Sequence, residues 1–466
     1  MKKITQIQLS NYRAFYNGKN ETAHTINLPN GENLLVYGEN GSGKSSLFHA
    51  LQDFFMSAKG NVDFANKINL FAKGKGTDFP HSEIQVYFKE KEREEWKPMH
   101  EKEDEEGEMQ PIPLIFSENL TTKDNVIENA SQAFLSYRDM LKTYFLDNDK
   151  QESPNLFELF VANLLRKVTS EIDNNKIEES LVEIDGVVKN LEVDIQKVIR
   201  LQKEAEEDYD EHTIRDEEEA KVKSLIEQFN IALETHLTPI FEEINTFLKA
   251  REEGGYFNAN FKLKLDNKFP FLSIEKGELK KQLRFEVEYF GQKIDNTAYH
   301  HFLNEARLSA LAICIYLVAI KKDKPTKDNY KILFLDDIFI GLDMSNRLPL
   351  LEILKNEFAD YQIFMTTYDR AWFEVAKKWL ENKTKENWKF FEMYVDDFTN
   401  QFDVPVVLET KDLLTKAFFH EKEFDYPASA NYLRKAVEEL LDKKFKGEYN
   451  LILKGNDGLD LGELDR

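Results

Sequence analysis

The sequence predicts an α/β protein: a head with a mixed sheet and an antiparallel lobe, interrupted by a short helical coiled-coil arm and followed by a small helical appendix. Three observations predict it. Residues 34–51 read as a short apolar strand, a glycine-rich loop and a helix; residues 331–337, far downstream, form an apolar run ending on two acids; and an unbroken heptad seam lies between them. The divisions that follow are 1–150 for the first part of the head, 151–253 for the arm, 254–400 for the second part of the head and 401–466 for the appendix.

Leu34-Leu35-Val36-Tyr37 is the strand, and Gly38 to Ser45 fill every fixed position of a P-loop, G-x-x-x-x-G-K-[ST], before a helix that opens Ser46-Leu47-Phe48. Successive backbone N–H groups can curl around phosphate oxygens only where nothing larger than hydrogen intrudes, hence Gly41 and Gly43. Asn40, Ser42 and Ser46 complete the cradle, and the helix adds its positive N-terminus. Lys44 is the expected ligand of the β- and γ-phosphates of ATP, and Ser45 of Mg²⁺.

The second half of such a site is Lys331-Ile332-Leu333-Phe334-Leu335-Asp336-Asp337, a pattern of a fully buried strand that delivers carboxylates at its C-terminal end. Asp336 is expected to hold Mg²⁺, and Asp337 to orient or deprotonate the attacking water as the catalytic residue.

Gly341-Leu342-Asp343 follows the acidic pair, and Asn304-Glu305-Ala306-Arg307 opens an apolar helix before it. With the P-loop, these segments resemble the RecF/SMC branch of ABC-type ATPases, over about residues 1–60 and 295–400, and lean toward the P-loop ATPases of bacterial antiphage defence systems. The resemblance implies an ABC-type P-loop ATPase head that dimerises, or forms a higher homo-oligomer, around ATP and Mg²⁺. It implies a D-loop at Asp343 and a signature segment at Asn304, Glu305 and Arg307 that completes the opposite subunit's site. Asn304 is suited to cap the helix and Arg307 adds a charge one turn in. Three departures accompany the likeness. The family's Ser-Gly-Gly signature core is absent; the acidic pair is Asp-Asp rather than Asp-Glu; and Tyr368 stands where many members carry a γ-phosphate-sensing histidine. A phenol is a poor proton shuttle near neutrality, so slow or triggered hydrolysis is expected. The resemblance also implies Arg13 or Tyr12 over the adenine and Gln132 on Mg²⁺, the latter within an expected helix at 131–146.

Composition bounds the partners. With 62 basic against 85 acidic residues the net charge is −23, which opposes passive binding of a polyanion, so contact with DNA requires a local basic groove. Lys262, Lys264, Lys276, Lys280, Lys281 and Arg284 are the candidates for one. The single cysteine, Cys314, lies in an apolar run and is expected in the core. One cysteine, no signal peptide and no membrane-length apolar run point to a cytoplasmic protein.

The remaining elements follow from periodicity. Residues 3–30 read as a hairpin, 83–88 as a strand, and 89–110, dense in charge, as a loop. Ile177, Leu181, Ile184, Val188, Leu191, Ile195 and Val198 form the heptad seam; Val222 to Phe247 carry the return helix; and the acid-rich 204–219 reads as the tip between them. Gly186 and Pro239 mark kinks. Residues 257–265 and 284–289 alternate and pair as the second lobe. In the appendix, 404–408 reads as an edge strand because of Pro405, followed by helices at 410–420 and 426–445. Three functions remain open at this level: an ATPase switching a DNA-related or effector assembly, the effector being a nuclease or toxin; a weakly hydrolysing, ATP-locked scaffold that cages such a partner; and a RecF-like repair ATPase.

Overall fold

The computed structural model describes residues 2–141, 156–157 and 209–455, except 18–22, 59, 61, 74–81, 93–94, 105–106, 119, 267–269, 276–277, 295–301, 323–329, 385–386, 397–401, 411–412, 423 and 425. The heptad seam, Gly186 and Lys276 lie outside the described residues. The chain divides into two compact units, Met1–Val407 and Leu408–Arg466.

The apolar runs at 34–37 and 331–337 and the expected edge strand at 404–408 become strands of one six-stranded sheet, ordered β18-β17-β3-β16-β15-β9. These are β3 (Asn33–Gly38), β9 (Ser131–Ser136), β15 (Lys331–Asp336), β16 (Gln362–Thr367), β17 (Trp388–Asp396) and, at the edge, β18 (Val404–Glu409). The pairs β17/β3, β3/β16, β16/β15 and β15/β9 are all parallel, so their C-terminal ends share one edge, where ligands of open α/β sheets bind. Alternation sends every second side chain to each face. Leu34, Val36, Ile332, Phe334 and Phe364 enter one core, and Leu35, Leu333, Leu335, Ile363 and Met365 the other, so both faces are covered and the runs are uninterrupted.

The first core is capped by α1 (Lys44–Ser57) and an antiparallel sheet ordered β2-β1-β4-β5 with β8 on β4. Its strands are β1 (Lys2–Ser10), β2 (His24–Asn27), β4 (Glu83–Glu92), β5 (Glu95–Pro98) and β8 (Leu114–Ser117); β6 (Glu101–Glu103) and β7 (Met109–Pro111) form a separate ribbon. The charged stretch 89–110 is therefore strand-rich rather than a loop. Charge on the outward positions of an exposed ribbon is compatible with ladder bonds, and composition alone misread it. Likewise 131–146 is not one helix. Ser-Gln-Ala-Phe-Leu-Ser buries alternate residues and forms β9, after α2 (Asn125–Glu128) and before the short α3 (Tyr137–Leu141).

The second core gathers four longer helices: α4 (Tyr209–Leu248), α5 (Glu305–Lys322), α6 (Met344–Glu357) and α7 (Arg370–Lys383). Helix α4 spans the segment expected as the return helix, and it is described from Tyr209 on, so the second half of the expected acidic tip is helical. Its seam residues Leu233, Leu237, Ile240, Ile244 and Phe247 are buried in this core, with Pro239 inside the helix. Cys314 is fully buried in α5. The lobe is built from β10 (Phe261–Leu265), β13 (Phe285–Tyr289) and β14 (Gln292–Lys293), with a hairpin of β11 (Leu272–Glu275) and β12 (Glu278–Lys281). Strands β10 and β13 pair as expected, but Lys262 faces Glu288, Lys264 faces Glu286, and Lys264 bonds Glu288 at 2.7 Å. Opposite charges alternate across this face, so it is no uncompensated basic groove. In the second unit, α8 (Leu413–Lys422) packs on α9 (Tyr426–Gly455). Among the described helices none is long and apolar enough to cross a membrane.

One buried side chain ties the first sheet to the parallel sheet. The Gln362 amide donates to Ile4 O (2.9 Å) and Glu32 O (2.8 Å), and its oxygen accepts from Ile4 N (2.8 Å) and the Tyr330 hydroxyl (2.9 Å). Gln362→Met keeps the volume and orphans all four partners. The expected loss is about 3 to 5 kcal/mol of stability in urea titrations; a loss below about 1 kcal/mol would show the knot to be dispensable.

Candidate nucleotide site

Four strand ends meet at the C-terminal edge of the sheet. Gly38 ends β3 and leads into the glycine loop; Asp336 ends β15 and is in register with Thr366 of β16 and Ser136 of β9. Gly41 and Gly43 have φ of 87° and 97°, in the left-handed region. A Cβ on Gly43 would also lie 2.7 Å from the Pro405 ring, so conformation and space both demand glycine there. Helix α1 then starts at Lys44, with its first N–H groups directed into the loop.

Lys44 is buried, and its ammonium donates to Gly38 O (2.7 Å) and Glu39 O (3.1 Å) and pairs with Asp337 Oδ2 (3.6 Å). Ser45 Oγ donates to Asp336 Oδ2 at 2.9 Å, and Thr366 Oγ1 donates to Asp336 Oδ1 at 2.6 Å while accepting from Asp337 N at 3.1 Å. Hydroxyl, ammonium and two carboxylates thus converge from segments at opposite ends of the first unit. Asp337 has φ 53°, a conformation that costs a non-glycine residue of order 1 kcal/mol and turns the chain sharply off the strand. Burial raises its carboxyl above the ordinary range; the Lys44 cation pulls it back, the Asp336 charge raises it again, and the Tyr368 N–H lowers it. A raised carboxylate is a better acceptor of a water proton near neutrality.

Two buried polar atoms here have no partner: Ser42 Oγ and Asp337 Oδ1. Each such atom ordinarily costs about 1–3 kcal/mol, so their placement beside Lys44 marks a surface shaped for a polar ligand. The donor set fits Mg²⁺, which takes one or two protein oxygens and completes its shell from phosphate and water. The Ser45 hydroxyl and the Asp336 carboxylate would hold it, and the ion would neutralise phosphate charge. Among the described residues no cluster of three or more His, Cys, Asp or Glu forms a protein-only metal cage.

Other expected residues fall elsewhere. Gln132 lies at the opposite end of β9 from Ser136, four residues or roughly 13 Å from the site edge, and its amide points to Phe55 O at 3.5 Å. It is not placed to touch a metal at Ser45; the strand position that meets the site is Ser136, whose hydroxyl donates to Asp139 (2.7 Å). Tyr12 is fully buried and donates to Asp53 Oδ2 (2.6 Å), so it cannot cover a base. Arg13 stands beside the same Asp53 (3.9 Å), as does Lys67 (3.6 Å), two turns of α1 beyond Ser45. Ser46 follows Ser45 on α1, and Asn40 lies in the loop. Tyr368 is 41% exposed, and its backbone N–H, not its ring, bonds Asp337.

Sequence reasoning gave no role to Thr366, which orders both acids, or to His49, one turn after Ser45. Burial and Arg13 lower the pKa of His49, keeping it neutral at pH 7. Its only sequence signal was the spacing of four from Ser45.

Asn304 accepts from Arg307 N at 3.0 Å and so caps α5; Glu305 accepts from the Tyr137 hydroxyl (3.3 Å); and the Arg307 guanidinium lies over the Tyr289 ring (5.1 Å). Asp343 caps α6 by accepting from Asn346 N (3.0 Å). Asn304, Arg307, Asp343 and Asn346 line one surface cleft of about 450 Å³, into which the N-termini of α5 and α6 both open.

The ABC transporter family profile matches residues 22–239, a little under half of the chain. Among curated proteins none matches significantly. Similar solved structures include an Smc head domain with an extended coiled coil bound to the C-terminal domain of ScpA from Pyrococcus furiosus, at 16% identity and a TM-score of 0.42, covering 91% of this chain and 100% of that one. The recombination mediator RecF with ATP, from the RecFOR pathway, is 12% identical at a TM-score of 0.47, covering 88% and 98%. An Smc head with a coiled coil and joint from Pyrococcus yayanosii is 12% identical at 0.43, covering 94% and 100%. The mixed sheet, the P-loop and the family match together fit an ABC-type P-loop ATPase head.

Gln132→Ala should leave Mg²⁺-dependent ATP affinity within about twofold, a change of under ~0.5 kcal/mol. Titration with a fluorescent ATP analogue, with and without the metal, checks this; a selective tenfold loss in the presence of Mg²⁺ would return Gln132 to the site.

Proposed function

We propose that this chain is an ATP-binding and ATP-hydrolysing enzyme of the RecF/SMC branch of ABC-type ATPases. The observation that carries the reading is the convergence of Lys44, Ser45, Asp336 and Asp337 with two unsatisfied buried oxygens at one sheet edge. A triphosphate entering the loop exchanges the carbonyl partners of Lys44 for its own oxygens, and Asp337 is released from the lysine to face the attacking water. The cleft at Asn304, Arg307 and Asp343 presents two helix N-termini and an arginine, the chemistry of a phosphate-facing surface. On this reading two heads sandwich two ATP molecules, each cleft facing the other subunit's P-loop, and Asn304, Glu305 and Arg307 act in trans.

The nucleotide state then switches an attached assembly, a nuclease or toxin effector in antiphage defence. The support for that is the motif resemblance and the apolar stripe Leu433, Val437, Leu440 and Leu441 left exposed on α9. An ATP-locked scaffold that hydrolyses weakly is the second reading, favoured by the exposed Tyr368 in place of a buried sensor. RecF-like repair would require turnover stimulated by DNA, and the neutralised Lys–Glu ladder on β10 and β13 gives that little support.

Nucleotide binding and steady-state phosphate release by three proteins test the proposal. Lys44→Ala should fold and lose ATP affinity by about a hundredfold or more, as a charge-assisted phosphate contact is removed. Asp337→Asn should bind ATP and lose turnover by on the order of 10² to 10³. Undiminished binding by the lysine variant would sink the P-loop assignment, and binding without measurable wild-type turnover would select the locked scaffold. Trans action has its own check. A Lys44→Ala subunit mixed with an Arg307→Ala subunit should regain one competent site per heterodimer, and silence from proven heterodimers would count against it.

A further inference from the structure

The loop that leaves Asp337 and the loop that leaves β16 are clamped together by one side chain, Arg347. It lies on the first turn of α6, and its side chain is only 11% exposed. Its Nε donates to Leu342 O at 2.9 Å, its Nη1 donates to Asp369 Oδ2 at 2.6 Å, and its plane lies 5.5 Å from the Trp372 ring centre. Phe339, from the Asp337 loop, packs against that tryptophan at 5.1 Å. One face of the guanidinium and two of its donors, Nε and Nη1, are therefore engaged at once, a geometry that lysine cannot reproduce.

The two segments it joins both hold Asp337. From its own loop, Ile340 N bonds Asp337 O (3.3 Å) and Leu342 N bonds Phe339 O (3.2 Å), so the backbone from Asp337 to Leu342 is two linked turns. From the neighbouring strand, Thr366 Oγ1 accepts from Asp337 N and the Tyr368 N–H reaches the Asp337 carboxylate. Asp369, next in sequence to Tyr368, caps α7 through Trp372 N (3.0 Å) with one oxygen and takes Arg347 with the other. Although burial alone would raise its carboxyl, the Arg347 bond, together with the backbone N–H groups of Trp372 and Ala371, lowers it below the ordinary range. At the far side, Arg347 N bonds the carbonyl of Asp343, the residue that lines the cleft.

We infer that Arg347 is a positioning residue for Asp337: by gripping Leu342 O and Asp369 together it fixes the strained turn and the peptide that hold the catalytic carboxylate, and it links that carboxylate to the cleft at Asp343. The inference rests on the ATPase reading above and adds a residue that no motif marks. It predicts an effect on the chemical step with nucleotide affinity spared, because Arg347 touches neither the glycine loop nor Ser45.

Asp369→Asn is the sharper probe. The amide keeps one oxygen to cap α7, but in place of the second it presents an N–H that cannot accept from Arg347. Arg347→Lys keeps the charge and loses the fork. For each, kcat should fall about tenfold, the loss expected for a misplaced general base rather than a missing one, with KM within about twofold. The double variant should be no slower than the slower single one, because both remove the same link. Equal thermal midpoints accompany the comparison, and should Arg347→Lys fail to fold, Asp369→Asn alone carries it. The inference is overturned by kcat within twofold of wild type in the folded variants, by a loss confined to KM, or by losses that multiply in the double variant. Wild-type turnover separates the two readings. An inactive wild type overturns the ATPase reading and this inference with it, whereas an active wild type matched by its variants overturns this inference alone.

Discussion

The hydrogen bond from Ser45 to Asp336 joins residues 291 positions apart, and the rest of the first unit exists to make it possible. Neither strand can reach the other directly: β16 lies between β3 and β15, and contributes Thr366 to the same carboxylate. Parallel pairing without hairpins requires long connections, and among the described residues these carry a lobe and the long helix α4. Because each strand is buried on both faces, a one-residue slip would exchange two cores of different shape, and the register that aligns Asp336 with Thr366 and Ser136 is correspondingly well specified.

The site itself is built against stability. A buried lysine, a buried acid beside a half-buried one, a left-handed aspartate and two unsatisfied oxygens each cost free energy, and they are crowded into one corner. They persist because the surroundings are over-determined: Phe334, Phe364, Phe48 and Phe134 pack edge and face around the strand ends, and Gln362 locks the far end of β16 to the first sheet. Local strain concentrated where ligand atoms would relieve it is the pattern expected of a binding site rather than of a core defect.

What was legible in the sequence followed from short-range rules. The P-loop and the acid-tipped strand declared themselves because local pattern and fold agree there, and the Asn304 cap because capping is a local event. The misreadings share a cause. Gln132 was placed by family expectation onto a helix, whereas the period-two burial of Ser131 to Ser136 made a strand and carried the glutamine to the wrong end. Residues 89–110 were judged by charge, which reports solvation and not backbone pairing. Tyr12 was a candidate to cover the adenine, whereas Asp53, forty-one residues on, gives its hydroxyl a buried partner. Arg347 and Thr366 carry no local signal at all, since their roles exist only once two loops from different strands lie side by side.

That dependence extends to α4, the expected return helix of the arm. Helix α4 does not lie loosely on the head: Leu237, Ile240, Ile244 and Phe247 sit in the same core as α5. Lys321 of α5 bonds both Glu243 on α4 (2.8 Å) and Glu357 on α6 (2.6 Å). Past the end of α4, Arg251 pairs with Glu352 (2.9 Å) and the Tyr256 hydroxyl donates to Glu357 (2.8 Å), both on α6. Each of these partly exposed pairs contributes little energy alone. Their effect is geometric, because the apolar packing beneath them makes the base of the arm and the two helices one stiff body. Helix α6 carries Asp343 at its cap and Arg347 on its first turn, so a displacement of the arm's base must either break that packing or move the cleft and the clamp on Asp337 together. The C-terminal end of α4 is thus mechanically continuous with the turn that holds the Asp337 carboxylate, although the sequence separates the two by about ninety residues.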